Sequence, residues 1–180
     1  MKKAWGLAND EAASACLPAL PFRSINRRGT KGHDPGLQRH HLLPKQLLKG
    51  AYFGKMFTAI GKANVGFDDF RTNGILLPCR EDTAIRLCLP LHRGPHRDYN
   101  EMVIERVGQI EREWSSARLS DPDLAIKESI FRLSLLQRAL RKRLMVQHRR
   151  LILNQKDPVG TGFDFDELDA MAGALWEATS

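Results

Sequence analysis

The sequence predicts an α+β domain with a small sheet and long helices toward its C-terminal end. Three observations carry that prediction. The run Ile75-Leu76-Leu77 is short, apolar and fenced by Asn73-Gly74 on one side and Pro78 on the other, the pattern of a strand. Beyond Pro95, and again beyond Asp121, apolar residues recur every three or four positions, the period of a helix with one buried face. At 180 residues the chain is long enough to enclose one real hydrophobic core.

From the N-terminus, residues 1–35 read as an irregular basic arm. Pro18, Pro21, Gly29, Gly32 and Pro35 mix there with Arg23, Arg27, Arg28 and Lys31, and no period is sustained. Between Pro44 and Ile60, the four-residue recurrence of Leu48, Tyr52, Met56 and Ile60 predicts one helix, which Gly50 and Gly54 weaken. The strand at 75–77 follows. After Pro95, Tyr99, Val103, Val107, Ile110 and Trp114 share the buried face of a helix expected to end near Ser120. Asp121-Pro122 then starts another, Asp as cap and Pro at the first helical position, where its missing N–H costs nothing. Its face runs through Ile126, Ile130, Leu133, Leu136, Leu140 and Leu144, and the pattern persists to about Asn154, roughly 45 Å at 1.5 Å per residue. The other faces of this helix carry Arg132, Arg138, Arg141, Lys142, Arg143, Arg149 and Arg150, either a track for a polyanion or the solvated side of a core helix. Past Gly160-Thr161-Gly162, the spacing of Phe165, Leu168, Ala172 and Leu175 predicts a last amphipathic helix.

Composition removes several classes of protein. A 42% hydrophobic, 27% charged chain is neither wholly disordered nor fibrous, and no run approaches the roughly 20 apolar residues of a membrane-spanning helix. Met1-Lys2-Lys3 opens like a signal peptide, but Asn9, Asp10 and Glu11 interrupt the apolar stretch that export requires, so a cytoplasmic setting is expected. Cys16, Cys79 and Cys88 form no C-x-x-C pair and read as reduced thiols. The net charge of +7 is uneven: residues 1–150 carry +12 and residues 151–180 carry −5. A basic body attracts polyanions, of which nucleic acid is the commonest. The tail residues Asp157, Asp164, Asp166, Glu167, Asp169 and Glu177 either form a solvated face or fold back to compete with phosphate.

Four of the six histidines fall in two tight groups, His40-His41 and His92-Arg93-Gly94-Pro95-His96. If the chain enters its helix near Leu91, His92 and His96 lie four apart on one face, within reach of a single metal ion. Pro95 restricts this, because a proline beyond the first turn breaks a helix; His92 must therefore lie at or just before the helix start. Adjacent residues of an extended segment point to opposite sides, so His40 and His41 are not equivalent ligands. One of them can join His92 and His96 on a metal while the other stays free as a base, leaving open coordination positions for water and substrate.

The segments Gln38-Arg39-His40-His41-Leu42-Leu43-Pro44, Asn73-Gly74-Ile75-Leu76-Leu77-Pro78 and Leu91-His92-Arg93-Gly94-Pro95-His96-Arg97-Asp98-Tyr99-Asn100, in that order, resemble the AHH family of the HNH/endonuclease VII nucleases. The likeness covers roughly residues 36–115, with Arg39 where the family's namesake alanine stands. It implies a ββα-metal (His-Me finger) core over residues 36–120, with residues 121–180 as a helical extension, and a metal-dependent endonuclease. It implies further that His40, His92 and His96 hold one divalent ion, that His41 activates water and that Asn73 orients it. By ligand softness three imidazoles suit Zn, Ni or Co better than Mg, whereas family behaviour admits Mg or Mn. Family members are often toxin domains delivered into competitors and restrained by a cognate immunity protein. DNA is the expected substrate ahead of RNA.

Ordinary readings stand beside these. Asn73 alone is a turn residue before Gly74, Tyr99 is core, and His33 and His148 are solvated. Arg39, Arg93 and Arg97 flank the histidines and are expected to contact phosphate, although surface arginine is the default. The alternative from another class is a non-catalytic nucleic-acid-binding protein with a structural histidine-metal site.

Overall fold

The structure, a computed structural model, describes residues 18–146, 151–154 and 156–158. Two strands and six α-helices give the α+β arrangement, in the order β1 (Leu37–His41), α1 (Ala51–Ile60), α2 (Lys62–Val65), α3 (Phe70–Asn73), β2 (Gly74–Pro78), α4 (Glu81–Leu87), α5 (Arg97–Ala117) and α6 (Pro122–Met145). β1 and β2 pair antiparallel with Leu37 opposite Pro78, His40 opposite Ile75 and His41 opposite Gly74. The apolar run Ile75–Leu77 is thus the centre of β2, as its flanking turn residues predict. Ile75 and Leu77 face inward at 7% and 0% exposure. The Tyr99 hydroxyl near the start of α5 donates to Leu42 O just past β1, joining the helix to β1 and β2 in a ββα unit, and α6 lies across α1, α2, α3 and α5.

The predicted helix at 44–60 is divided. Lys45–Leu48 is a 3-10 turn and α1 begins only after Gly50, which takes an extended conformation as its cap. Met56 and Ile60 of the predicted face are buried, but Tyr52 is 86% exposed and Phe53 and Phe57 fill the core beside them. α5 buries Tyr99, Val103, Val107, Ile110 and Trp114 on one face as the period requires.

α6 starts as expected, the Asp121 carboxylate accepting the Leu124 N–H at 2.9 Å with Pro122 at the first helical position. It stops earlier than its periodicity implies. Val146 is extended, and Leu151–Asn154 is non-helical chain that turns back onto the domain and buries Leu151 and Leu153. A helix continued to Asn154 would carry those two leucines past the core; the 24 residues formed span about 36 Å instead. The deepest line of α6 is shifted from the predicted one, through Ala125, Ser129, Leu133, Gln137, Leu140 and Leu144. Its cations are partly structural. Arg132 pairs with Glu113 and Glu128, Arg143 is buried, and Arg141 donates to the carbonyls of Gly74 at 2.7 Å, Arg71 at 2.5 Å and Thr72 at 3.2 Å. These bonds satisfy acceptors that the four-residue α3 leaves open at its C-terminal end.

The arm is tied down from residue 18 onward. Leu20 N–H donates to the Asp69 carboxylate at 2.9 Å, and Phe70 N–H donates to Leu20 O at 2.7 Å. The predicted helix at 165–175, His148, Cys16 and the tail beyond residue 158 lie outside the described residues. Cys79 is a free thiol. Among the described residues no helix is long and apolar enough to cross a membrane.

Gly74 is a position of close approach. A Cβ there would stand 2.2 Å from Cδ2 of Phe70, whose ring packs edge-on against Phe22 at 5.1 Å. Gly74→Ala should cost about 1–3 kcal/mol, the usual range for overpacking, and lower the urea midpoint of unfolding; an unchanged midpoint would contradict the packing described.

Candidate metal centre

Strand alternation separates the two adjacent histidines. Gln38 and His40 project from one face of β1, and Arg39 and His41 from the other. His40 is 4% exposed, and its Nε2 is buried without a hydrogen-bond partner. A buried polar atom in that condition is costly unless something not of the chain completes it.

His92 and His96 reach His40 by a route other than the predicted helix face. α5 begins at Arg97, after Pro95, so His96 is its cap and His92 lies in the preceding loop. Pro95 forbids the earlier start. The loop is held from both ends. Leu91 is fully buried, and His92 N–H donates to Pro78 O, the last carbonyl of β2, at 2.6 Å. Gly94, at φ +80°, takes the left-handed turn that brings the two imidazoles together, with ring centroids 4.4 Å apart. Their centroids lie 4.9 and 5.5 Å from that of His40. One ring nitrogen from each of the three lies within 4.8 Å of the others.

The hydrogen bonds behind these rings select the free nitrogens. His92 Nδ1 is 3.2 Å from Gln38 Oε1, and His96 Nδ1 is 3.2 Å from Leu153 O. An acceptor on Nδ1 fixes the proton there and leaves Nε2 as a lone pair, the arrangement behind most histidine ligands. Burial is the largest cause of the lowered pKa of His40, which sits well below the usual 6.5, and the charges of His92 and His96 lower it further. His92 is lowered to about 4 by burial and then by His96, and burial lowers His96 as well. Three neutral imidazoles converging, one of them with an unpartnered buried nitrogen, fit a divalent cation; three imidazolium ions in that space would repel one another. Tyr99 closes the inner side, donating its hydroxyl to Leu42 O at 2.8 Å.

His41 stands apart from this triad. Its ring lies flat on Phe22, centroids 3.7 Å apart and planes 3° apart, and its Nε2 has no partner. Burial foremost, then Lys45, lowers its pKa to about 4, with Asp68 acting in the opposite sense. It lines an open pocket of about 610 Å³ together with Pro21, Phe22, Arg23, Arg39, Lys45 and Asp68. The Asn73 side chain does not meet the His41 ring. It is fully buried, accepts from Leu43 N–H at 2.7 Å and Gln137 at 3.2 Å, and donates to Leu43 O at 3.1 Å and Phe67 O at 3.3 Å. Any hold it exerts on His41 passes through the backbone that leaves β1. Arg39, Arg93 and Arg97 are exposed; Arg39 donates to Phe22 O at 2.8 Å, and Arg93 is 3.7 Å from Glu81. His33 belongs to neither group.

Sequence reading did not single out Gln38; the signal for it is its two-residue spacing from His40, which puts both on one face of an extended strand. Nothing in the composition of the arm marks Phe22 as the partner of His41, and helical periodicity hides the return of Leu153 to His96.

A nuclease family of the HNH/ENDO VII superfamily with conserved AHH matches residues 22–140, well over half of the chain. No curated protein and no solved structure matches it.

The lowered imidazole values have a measurable consequence in metal-free protein. Between pH 6.5 and about pH 4 the unfolded chain binds protons that the folded chain excludes, so the stability is full above pH 6.5 and is lost as pH falls through that window. The thermal midpoint of chelator-treated protein should drop by about 5 °C or more from pH 7 to pH 5. Saturating zinc should recover part of the loss, because only neutral imidazole binds it. A midpoint flat over that range would contradict the neutral triad.

Proposed function

Because the chain belongs to the AHH family of HNH/endonuclease VII nucleases, we propose that it is a metal-dependent endonuclease whose ion is held by His40, His92 and His96 and whose base is His41. The observation that carries this reading is the buried, unpartnered Nε2 of His40 facing two further imidazoles within 4.8 Å. A divalent ion held there supplies charge stabilisation to the phosphate oxygens and the leaving oxygen. The ion is zinc, nickel or cobalt by the softness of three imidazoles, or magnesium or manganese by the habit of the family.

His41 is neutral at pH 7 and its side chain lines an open pocket, so its imidazole is suited to take a proton from attacking water. Phe22 holds the plane of its ring, and Asn73 fixes the Leu42–Leu43 backbone that follows it. Arg39, Arg93 and Arg97 meet the backbone phosphates, with Arg97 at the N-terminal end of α5, where the helix favours anions. The substrate is nucleic acid, DNA ahead of RNA, bound by a basic body. In this reading the chain works in a cytoplasm, its own or that of a competitor into which it is delivered as a toxin, and an immunity protein is its partner. The toxin role draws on the family resemblance alone.

The roles separate by substitution. His41→Ala should keep metal and DNA binding but lose about 10²–10⁴-fold in cleavage, the range of general acid–base catalysis. His96→Ala should lose metal affinity and cleavage together. Asn73→Ala should fall between and also unfold more easily, because it strands buried backbone groups. Metal calorimetry beside nicking of supercoiled plasmid reads all three. If His41→Ala loses metal and His40→Ala keeps it, the two roles are exchanged; if every variant nicks normally, the nuclease assignment fails. Duplex affinity should also fall steeply between low and moderate salt through counterion release, and a flat salt profile would contradict phosphate-dominated binding.

A further inference from the structure

The chain that leaves α6 returns to the histidine triad and closes over the loop carrying two of its members. Leu151 and Leu153 are buried at 2% and 5% exposure, and Leu151 N–H donates to Arg143 O, so this segment is anchored in the core. From that anchorage three groups reach the loop at separate points. Leu153 O meets His96 Nδ1 at 3.2 Å, the Asn154 amide donates to Arg93 O, and the Asp157 carboxylate accepts the Leu91 N–H at 3.0 Å. A turn holds Asn154 and Asp157 in place: Lys156 N–H donates to Asn154 Oδ1 at 2.8 Å, and Asp157 N–H donates to Asn154 O at 3.0 Å. Residues 91–96 have no regular secondary structure of their own to set the direction of an imidazole.

We infer that residues 151–154 and 156–157 form a strap that completes the metal centre, with Leu153 O orienting His96 for ligation and Asn154 and Asp157 holding the loop that presents His92. The inference rests on the metal-site reading above. The strap lies beyond residue 140, where the family match ends. It also gives Asp157 a task other than competing with phosphate, since its carboxylate is engaged on Leu91. Thermodynamic linkage requires reciprocity: whatever factor the strap contributes to metal affinity, bound metal returns as protection of the strap.

The test uses the full chain, with zinc titrated against a chromophoric chelator and trypsin cleavage followed at the exposed Lys156. Asn154→Ala and Asp157→Ala should weaken zinc binding about 10–100-fold, as loss of groups that orient metal ligands does, while far-UV circular dichroism stays unchanged. In the wild-type chain, saturating zinc should slow cleavage after Lys156 by a similar factor, corrected for zinc's effect on trypsin with a peptide substrate. His92→Ala should abolish that protection. If wild-type protein binds zinc through His92 but the strap variants bind equally well and Lys156 is cut at the same rate with and without metal, the strap is overturned and the metal site stands. If wild-type protein binds no zinc, both fall. The wild-type proteolysis decides the matter even if a variant fails to fold.

Discussion

Neighbouring side chains on a strand leave the backbone in opposite directions, and β1 puts two histidines under that constraint. Pairing with β2 fixes which of them faces inward: with His40 opposite Ile75 and His41 opposite Gly74, His40 enters the interior and His41 stays at a pocket. A register slip of one residue would exchange their environments. The register therefore matters more to the chemistry than any single contact within the triad. The features that secure it sit close by: the tight packing of the Phe70 ring on Gly74, the Arg141 guanidinium on the Gly74 carbonyl, and Asn73 bonded across to Leu43.

Each histidine then acquires its character from what stands behind it. Gln38 and Leu153 O occupy the Nδ1 atoms of His92 and His96, whereas His41 is held by the face of an aromatic ring. Two of the three proposed ligands are thus oriented by hydrogen bonds, and the proposed base by stacking, which leaves its buried Nε2 unpartnered. The parts come from distant stretches of chain, Phe22 from the arm and Leu153 from beyond α6. A site assembled in this way depends on the whole domain being folded.

The histidines, the strand and the two long helices were legible because each leaves a local pattern: paired spacing, an apolar run between turn residues, and a repeat near 3.6. What escaped was set by tertiary contact. Tyr52 satisfies the four-residue period yet points to solvent, since Gly50 restarts the helix and the wholly apolar Phe53 and Phe57 take the core side. The apolar repeat runs on past Met145, but Leu151 and Leu153 bury themselves by returning to the domain and not by extending α6. Pro95 correctly barred a helix through His92. The loop solution, through Gly94 and the bond of His92 N–H to Pro78 O, could not be read from spacing. The arm carries no periodic signal, yet it supplies the ring under His41.

The central claim is that three imidazoles and no thiolate meet at one ion. X-ray absorption at the zinc edge of the loaded protein addresses it directly. The account predicts three imidazole nitrogens with oxygen completing the shell, all at about 2.0–2.2 Å, and the loss of one imidazole in His40→Ala. A sulfur scatterer near about 2.3 Å, or an unchanged imidazole count in that variant, would contradict it.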